Sequence, residues 1–94
     1  MATNLPQRQR EDLRYAVREQ LVAAKTVALD AEMIRRRVER SRLLDFGFTV
    51  ADVEDALALL VGLGHASSMP VELGATKYYQ ATAAGVLAHE RGSP

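Results

Sequence analysis

Few residues in this 94-residue sequence are of a kind that does covalent or metal chemistry, and their spacing does not suit it. The two histidines, His65 and His89, stand far apart. Neither belongs to an H-x-x-x-H or H-E-x-x-H pattern, the spacing that sets two imidazoles around a metal on one helix face. His65 follows Gly64 at what reads as a helix end, and no carboxylate stands close to it in the chain. Ser67 and Ser68 lack the strand–turn–helix context of an activated serine. Gly62 and Gly64 form a G-x-G without the third glycine of a dinucleotide loop. The sequence has no cysteine, which removes thiolate ligands, thiol catalysis and disulfides. These residues predict no catalytic site, no metal, no cofactor and no small-molecule ligand, and hence a protein that is not an enzyme.

What remains is charge. The net charge is zero, but residues 1–48 hold ten Lys/Arg against seven acids, and residues 49–94 hold two against five. The first half is therefore +3 and the second −3. Arg10, Arg14 and Arg18 repeat at i, i+4, i+8, so a helix would carry them in one stripe. Arg36, Arg40 and Arg42 form a second basic group. Such rows can lie along a phosphate backbone, which positions a protein without reading sequence. The plainer reading is a solvated helix face. Glu32 with Arg36 and Arg35 with Glu39 are i, i+4 pairs that would hold part of this charge on the protein itself.

The elements that must position these groups follow from periodicity. Residues 1–6 read as a flexible lead-in ending at Pro6, and residues 92–94 as a frayed end, leaving one domain over 7–91. From Gln7 to about Ala24, Leu13, Ala16, Val17, Leu21 and Ala24 fall on one helical face. Thr26 to Leu29 reads as a short strand or extended linker, and Asp30 as the N-cap of a helix over 31–41 with Ile34 and Val38 inward. Leu43 to Phe48 is a turn with apolar anchors, in which Gly47 could supply a positive φ. Thr49 and Asp52 make a capping box for a helix from Val50 to Leu63, ended by Gly64, with Val53, Leu57 and Leu60 inward. Residues 66–71 and 76–81 read as a hairpin, and Thr82 caps a last helix over 83–91.

A chain of this length buries only roughly 60–65% of its unfolded surface, so the core is modest. In an oxidising compartment so small a domain would commonly carry disulfides, and the lack of cysteine favours the cytoplasm. Residues 1–10 are polar, which predicts no secretory leader, and the longest apolar run, Ala56 to Leu63, is too short to span a bilayer.

The order helix, short strand, helix, turn, helix, hairpin, helix resembles the bacterial winged helix-turn-helix superfamily over residues 8–91. Three stretches carry the resemblance. "TVADVEDALALLVGLGHA" is similar to the third helix, with Val53, Leu57, Leu60 and Gly64 at the framework positions. "KYYQATAAG" is similar to the returning wing strand and the start of the last helix, with Tyr79 pointing into the core, Tyr78 exposed beside it, and Thr82 and Gly85 as T-x-x-G. "ALDAEMIRRRV" is similar to the short strand and second helix. The implied fold is α+β, mainly α: a three-helix core, a short strand, a β-hairpin wing and a C-terminal helix.

The resemblance implies double-stranded DNA as partner, with the third helix in the major groove. Its exposed positions here are Ala51, Asp52, Glu54, Asp55 and Ala58, three of them acids that phosphates would repel. The wing residues "VELGAT" carry no base, and Lys77 is the first to follow. The expected contacts are therefore Arg36, Arg40, Arg42 and Lys77 to the backbone, with Ala51, Glu54 and Asp55 nearest the groove. Leu59, Val61 and Leu63 are surplus to the inward stripe, which predicts either packing against the first or last helix within the chain or a homodimer interface that Val86 and Leu87 would join. Two functions stay open. One is a small DNA-binding transcription regulator or phage-derived accessory factor, gripping phosphates more than bases. The other is a protein–protein interaction or dimerisation module that uses the same fold without binding DNA.

Overall fold

The computed structural model describes residues 5–70 and 76–92. Four helices and three strands follow in the order α1 (Gln7–Ala24), β1 (Leu29–Asp30), α2 (Ala31–Ser41), α3 (Val50–Gly62), β2 (Ala66–Pro70), β3 (Lys77–Ala81) and α4 (Ala83–Glu90). This is a winged-helix arrangement.

Local chemistry sets the helix boundaries. The Asp30 carboxylate accepts from the Met33 amide at 2.8 Å and starts α2. At α3 both halves of the capping box form: Thr49 Oγ1 accepts from the Asp52 amide at 3.2 Å, and Asp52 Oδ2 accepts from the Thr49 amide at 2.8 Å. Gly64 ends α3 at φ 79°, where its amide donates to Val61 and that of His65 to Leu60, the paired bonds of a Schellman turn. Thr82 Oγ1 accepts from the Gly85 amide at 3.0 Å and starts α4.

The three strands form an antiparallel sheet in the order β1-β3-β2. β3 is central, pairing Leu29 with Tyr79 on one side and Ser68 with the same Tyr79 on the other. The core gathers Leu13, Ala16, Val17 and Leu21 from α1, Leu29 from β1, Ile34 and Val38 from α2, Val53, Ala56, Leu57 and Leu60 from α3, and Ala66 from β2. Leu44, Phe46 and Phe48 of the α2–α3 turn and Tyr79 of β3 pack against it, and so does Leu5 ahead of α1.

Three local expectations shift. The first strand lies at Leu29–Asp30 rather than over 26–29, because the amides of Lys25 and Val27 turn back to the carbonyls of Val22 and Ala24 and prolong the end of α1. The turn after α2 takes its positive φ at Arg42 (57°) and not at Gly47. Tyr78 is half-buried rather than exposed. Residues 71–75, the stretch of the wing without a basic side chain, lie outside the described residues.

Candidate nucleic-acid interface

α3 has three working faces. Val53, Ala56, Leu57 and Leu60 anchor it to the core. At 100° per residue, Ala51, Asp55, Ala58 and Gly62 point away from that anchor, and all four are exposed. They are small or acidic, so the outermost surface of the helix is shallow and carries no cation.

The flank toward α1 is where the acids find counter-charges. Asp52, Asp55 and Leu59 line a groove of 330 Å³ together with Arg10 and Arg14 of α1. Two of the three acids of α3 thus share a recess with two arginines. The acidic character read along the chain is partly offset in space.

The opposite flank faces the wing. Val50, Glu54 and Ala58 line an open groove with Asp30, the cap of α2, with Ala31 and Glu32 of α2, and with Thr76, Lys77 and Tyr79. Burial, and secondarily the Glu54 carboxylate, hold the Tyr79 hydroxyl above its ordinary pKa. Lys77 is the cation that the described wing residues bring to this groove, and it faces two glutamates there.

The arginines of α2 divide into paired and outward groups. Arg35 sits between Glu32 at 2.7 Å and Glu39 at 2.6 Å. Glu32 also accepts from Arg36 Nε at 3.2 Å. Arg35 first, then Arg36, pull the Glu32 carboxyl down to about 2. Arg36 remains largely exposed, at the edge of the wing-side groove through Glu32. Arg40 and Arg42 lie at the other end of α2, exposed; Arg40 Nε donates to the Arg36 carbonyl at 3.4 Å. Of the expected contact residues, the wing-side groove gathers Glu54 and Lys77. Ala51 and Asp55 lie on the outer face of α3, and Arg40 and Arg42 stand apart.

The expected interface leucines are exposed: Leu59 at 45% and Leu63 at 51%, one turn apart on the α1-facing side of α3. Val61 is exposed on the opposite flank, in the row of Val50 and Glu54. On α4, Leu87 is exposed and Val86 half-buried.

Sequence reasoning missed one cluster. Arg18, expected on a stripe with Arg10 and Arg14, is 1% exposed and contacts both His65 and His89. These partners stand 47 and 71 residues away, so no local pattern announces them. The available hint was the placement of Arg18 beside Val17 and one turn before Leu21, both core residues. Among the described residues no His, Cys, Asp and Glu groups gather that could hold a metal, and no helix is long and apolar enough to cross a membrane.

No family model matches the chain, and no curated protein matches it. Among solved structures it is similar to a PadR-like transcription factor from bacteroid fragilis, with a TM-score of 0.72 and 22% identity over 90% of this chain and 80% of that one. It is also similar to the PerR-Zn-Zn structure from GAS, with a TM-score of 0.53 and 21% identity over 86% of this chain. That alignment takes in 44% of the PerR chain, so this chain spans less than half of PerR's length. At these identities the likeness is one of fold, and the fold is the winged helix-turn-helix.

Proposed function

We propose that the chain is a DNA-binding transcription regulator of the cytoplasm that grips duplex DNA as a homodimer, through phosphates more than bases. The observation that carries the reading is the presentation of α3. Its outer face is unobstructed and shallow, with Lys77 on the wing side and Arg10 and Arg14 on the α1 side. Small side chains at Ala51 and Ala58 let the helix backbone approach a groove closely. Arg36, Arg40, Arg42 and Lys77 serve as phosphate contacts, and Asp55 and Glu54 face the bases without a bidentate purine reader such as Arg, Asn or Gln. Discrimination among sequences is therefore weak. The fold likeness to a protein described as a transcription factor supports the same reading.

Fluorescence anisotropy on a random duplex tests it. With three to four cations engaged per protomer, log K falls against log salt with a slope of roughly −3 per protomer or steeper. No complex at micromolar protein in low salt overturns it.

A second reading is favoured by Asp55 on the outer face, Glu54 on the wing-side flank and the exposed Leu59 and Leu63. These suit a protein partner better than a polyanion. In that case the chain forms a salt-insensitive complex with itself or another protein and leaves duplex DNA unbound.

A further inference from the structure

The start of α4 is fastened to the end of α3 at Gly64 and His65. The Thr82 amide donates to the His65 carbonyl at 3.0 Å, and Thr82 Oγ1 donates to the Gly64 carbonyl at 2.5 Å. His65 also closes α3, since its amide donates to the Leu60 carbonyl at 2.9 Å. Its imidazole reaches the other way, into the cluster around Arg18. There Arg18 Nε donates to His89 Nδ1 at 3.3 Å, and Arg18 Nη1 lies 3.3 Å from His65 Nδ1. The Tyr15 ring packs 4.8 Å from the His89 ring and 5.6 Å from the guanidinium carbon. One buried arginine of α1 thus bridges the end of α3 and the end of α4.

A guanidinium offers only donors. Both contacts are hydrogen bonds only when each Nδ1 carries a lone pair, which makes both imidazoles neutral with the proton on Nε2. For His89 that Nε2 lies 3.9 Å from Glu19 Oε1. We propose that Arg18, His65 and His89 form a proton-sensitive latch, which holds α4 against α1 at neutral pH and releases it when the His89 imidazole is protonated. A proton on Nδ1 turns an acceptor into a donor aimed at a donor. It also adds like charge beside an arginine that is 1% exposed, where water screens poorly.

The groups that face His89 all bear on the direction of this switch. α1 presents Tyr15, Arg18 and Glu19, and His65, in the turn after α3, shares the Arg18 guanidinium with His89. Arg14 adds a further positive charge near Arg18. Glu90 and Arg91 adjoin His89 in sequence and are exposed. Glu19 favours the imidazolium, but it is more than a third exposed and 3.9 Å away. Burial first, then Arg18, hold the His89 imidazole below its ordinary value in spite of Glu19. A group depressed in this way contributes stability that is complete above the unfolded value of about 6.5 and is lost as pH falls through the folded value. Because His65 also closes α3, release of the latch reaches the end of the helix proposed to face DNA.

Hydrogen-exchange protection factors in the intact chain, measured at about pH 7.5 and pH 5.5, test the latch. The expected result is a fall of about threefold or more in α4, with core amides of α1 and α3 changing by clearly less than that. His89→Gln supplies an amide oxygen that accepts from Arg18 without titrating, and it keeps α4 protected at both pH values. Unchanged α4 protection in the native chain, an equal fall in His89→Gln, or a parallel loss across α1 and α3 overturns the proposal. Should His89→Gln fail to fold, the NMR titration of His89 in the native chain decides: a midpoint below about 6.5 supports the latch, and one at or above it overturns it.

Discussion

Gly85 and His65 meet backbone to backbone: a β-carbon on Gly85 would overlap the His65 carbonyl oxygen and lie 2.9 Å from its carbon. The missing side chain is what lets the first turn of α4 sit on the end of α3. Gly85→Ala forces these two backbones apart and costs about 1–3 kcal/mol, against a helix-propensity gain of about 1 kcal/mol that it cannot express. Gly62→Ala is the matched control. It lies at the end of α3 with open space around its β-carbon and no positive φ. It is expected to be neutral or stabilising by up to about 1 kcal/mol. Urea unfolding followed by circular dichroism separates the two, and equal midpoints for both variants would contradict the close approach.

Glu32 titrates far below an ordinary glutamate. Arg35, hydrogen-bonded to it at 2.7 Å, and then Arg36 hold its carboxyl at about 2. The folded value is depressed, so the contribution of Glu32 to stability is present above the unfolded value of about 4.3 and is lost as pH falls toward 2. The carboxyl carbon, followed by NMR, should titrate near 2 in low salt and move upward in Arg35→Gln. A midpoint near that of a free glutamate would show that the fork between Arg35 and Glu32 does not persist in solution.

The parts legible in the sequence are those decided by near neighbours. Asp30, the Thr49–Asp52 pair, Gly64 and Thr82 each end or start a helix through bonds spanning a few residues, and each was readable as such. The apolar stripes of α1, α2 and α3 were equally readable because helical spacing decides them. β1 was displaced because its place depends on pairing with β3 some 50 positions later, Leu29 with Tyr79. Arg18 was misplaced for the same reason. Taken alone, its i, i+4 relation to Arg14 predicts an exposed cation, and the partners it meets when buried, His65 and His89 among them, come from distant parts of the chain. The charge of α3 was legible as a list of acids. Their division between an arginine-lined groove and a wing-side groove needed the packing of α1 and β3.

The exposed leucines of α3 make a direct prediction about assembly. Leu59 and Leu63 stand on the same side of the helix and bury little in the monomer. If they pack against a second copy, Leu59→Gln combined with Leu63→Gln turns a dimer into a monomer. The change should leave folded stability within about 0.5 kcal/mol per site, because surface substitutions rarely cost more. Light scattering at tens of micromolar protein reads the mass, and far-ultraviolet circular dichroism checks that the helices persist. A native chain already monomeric at that concentration removes these leucines from any self-association.

The sign of charge substitutions separates the two functional readings. If duplex DNA lies across α3, Lys77→Ala and Arg40→Ala each weaken binding to all sequences alike and lower the salt slope by about one. Arg36→Ala has a smaller effect, since Glu32 already engages that guanidinium at 3.2 Å. Glu54→Gln acts in the opposite direction. Its carboxylate lies in the wing-side groove with Lys77, so neutralising it removes a repulsion from phosphate and strengthens binding. A module that binds protein through the same face gives the reverse pattern: Glu54→Gln weakens the protein complex, and no variant acquires affinity for duplex. Measuring all four substitutions against one random duplex across a salt series distinguishes the readings. A Glu54→Gln variant that binds DNA more weakly than the native chain contradicts the docking of α3 on the phosphates.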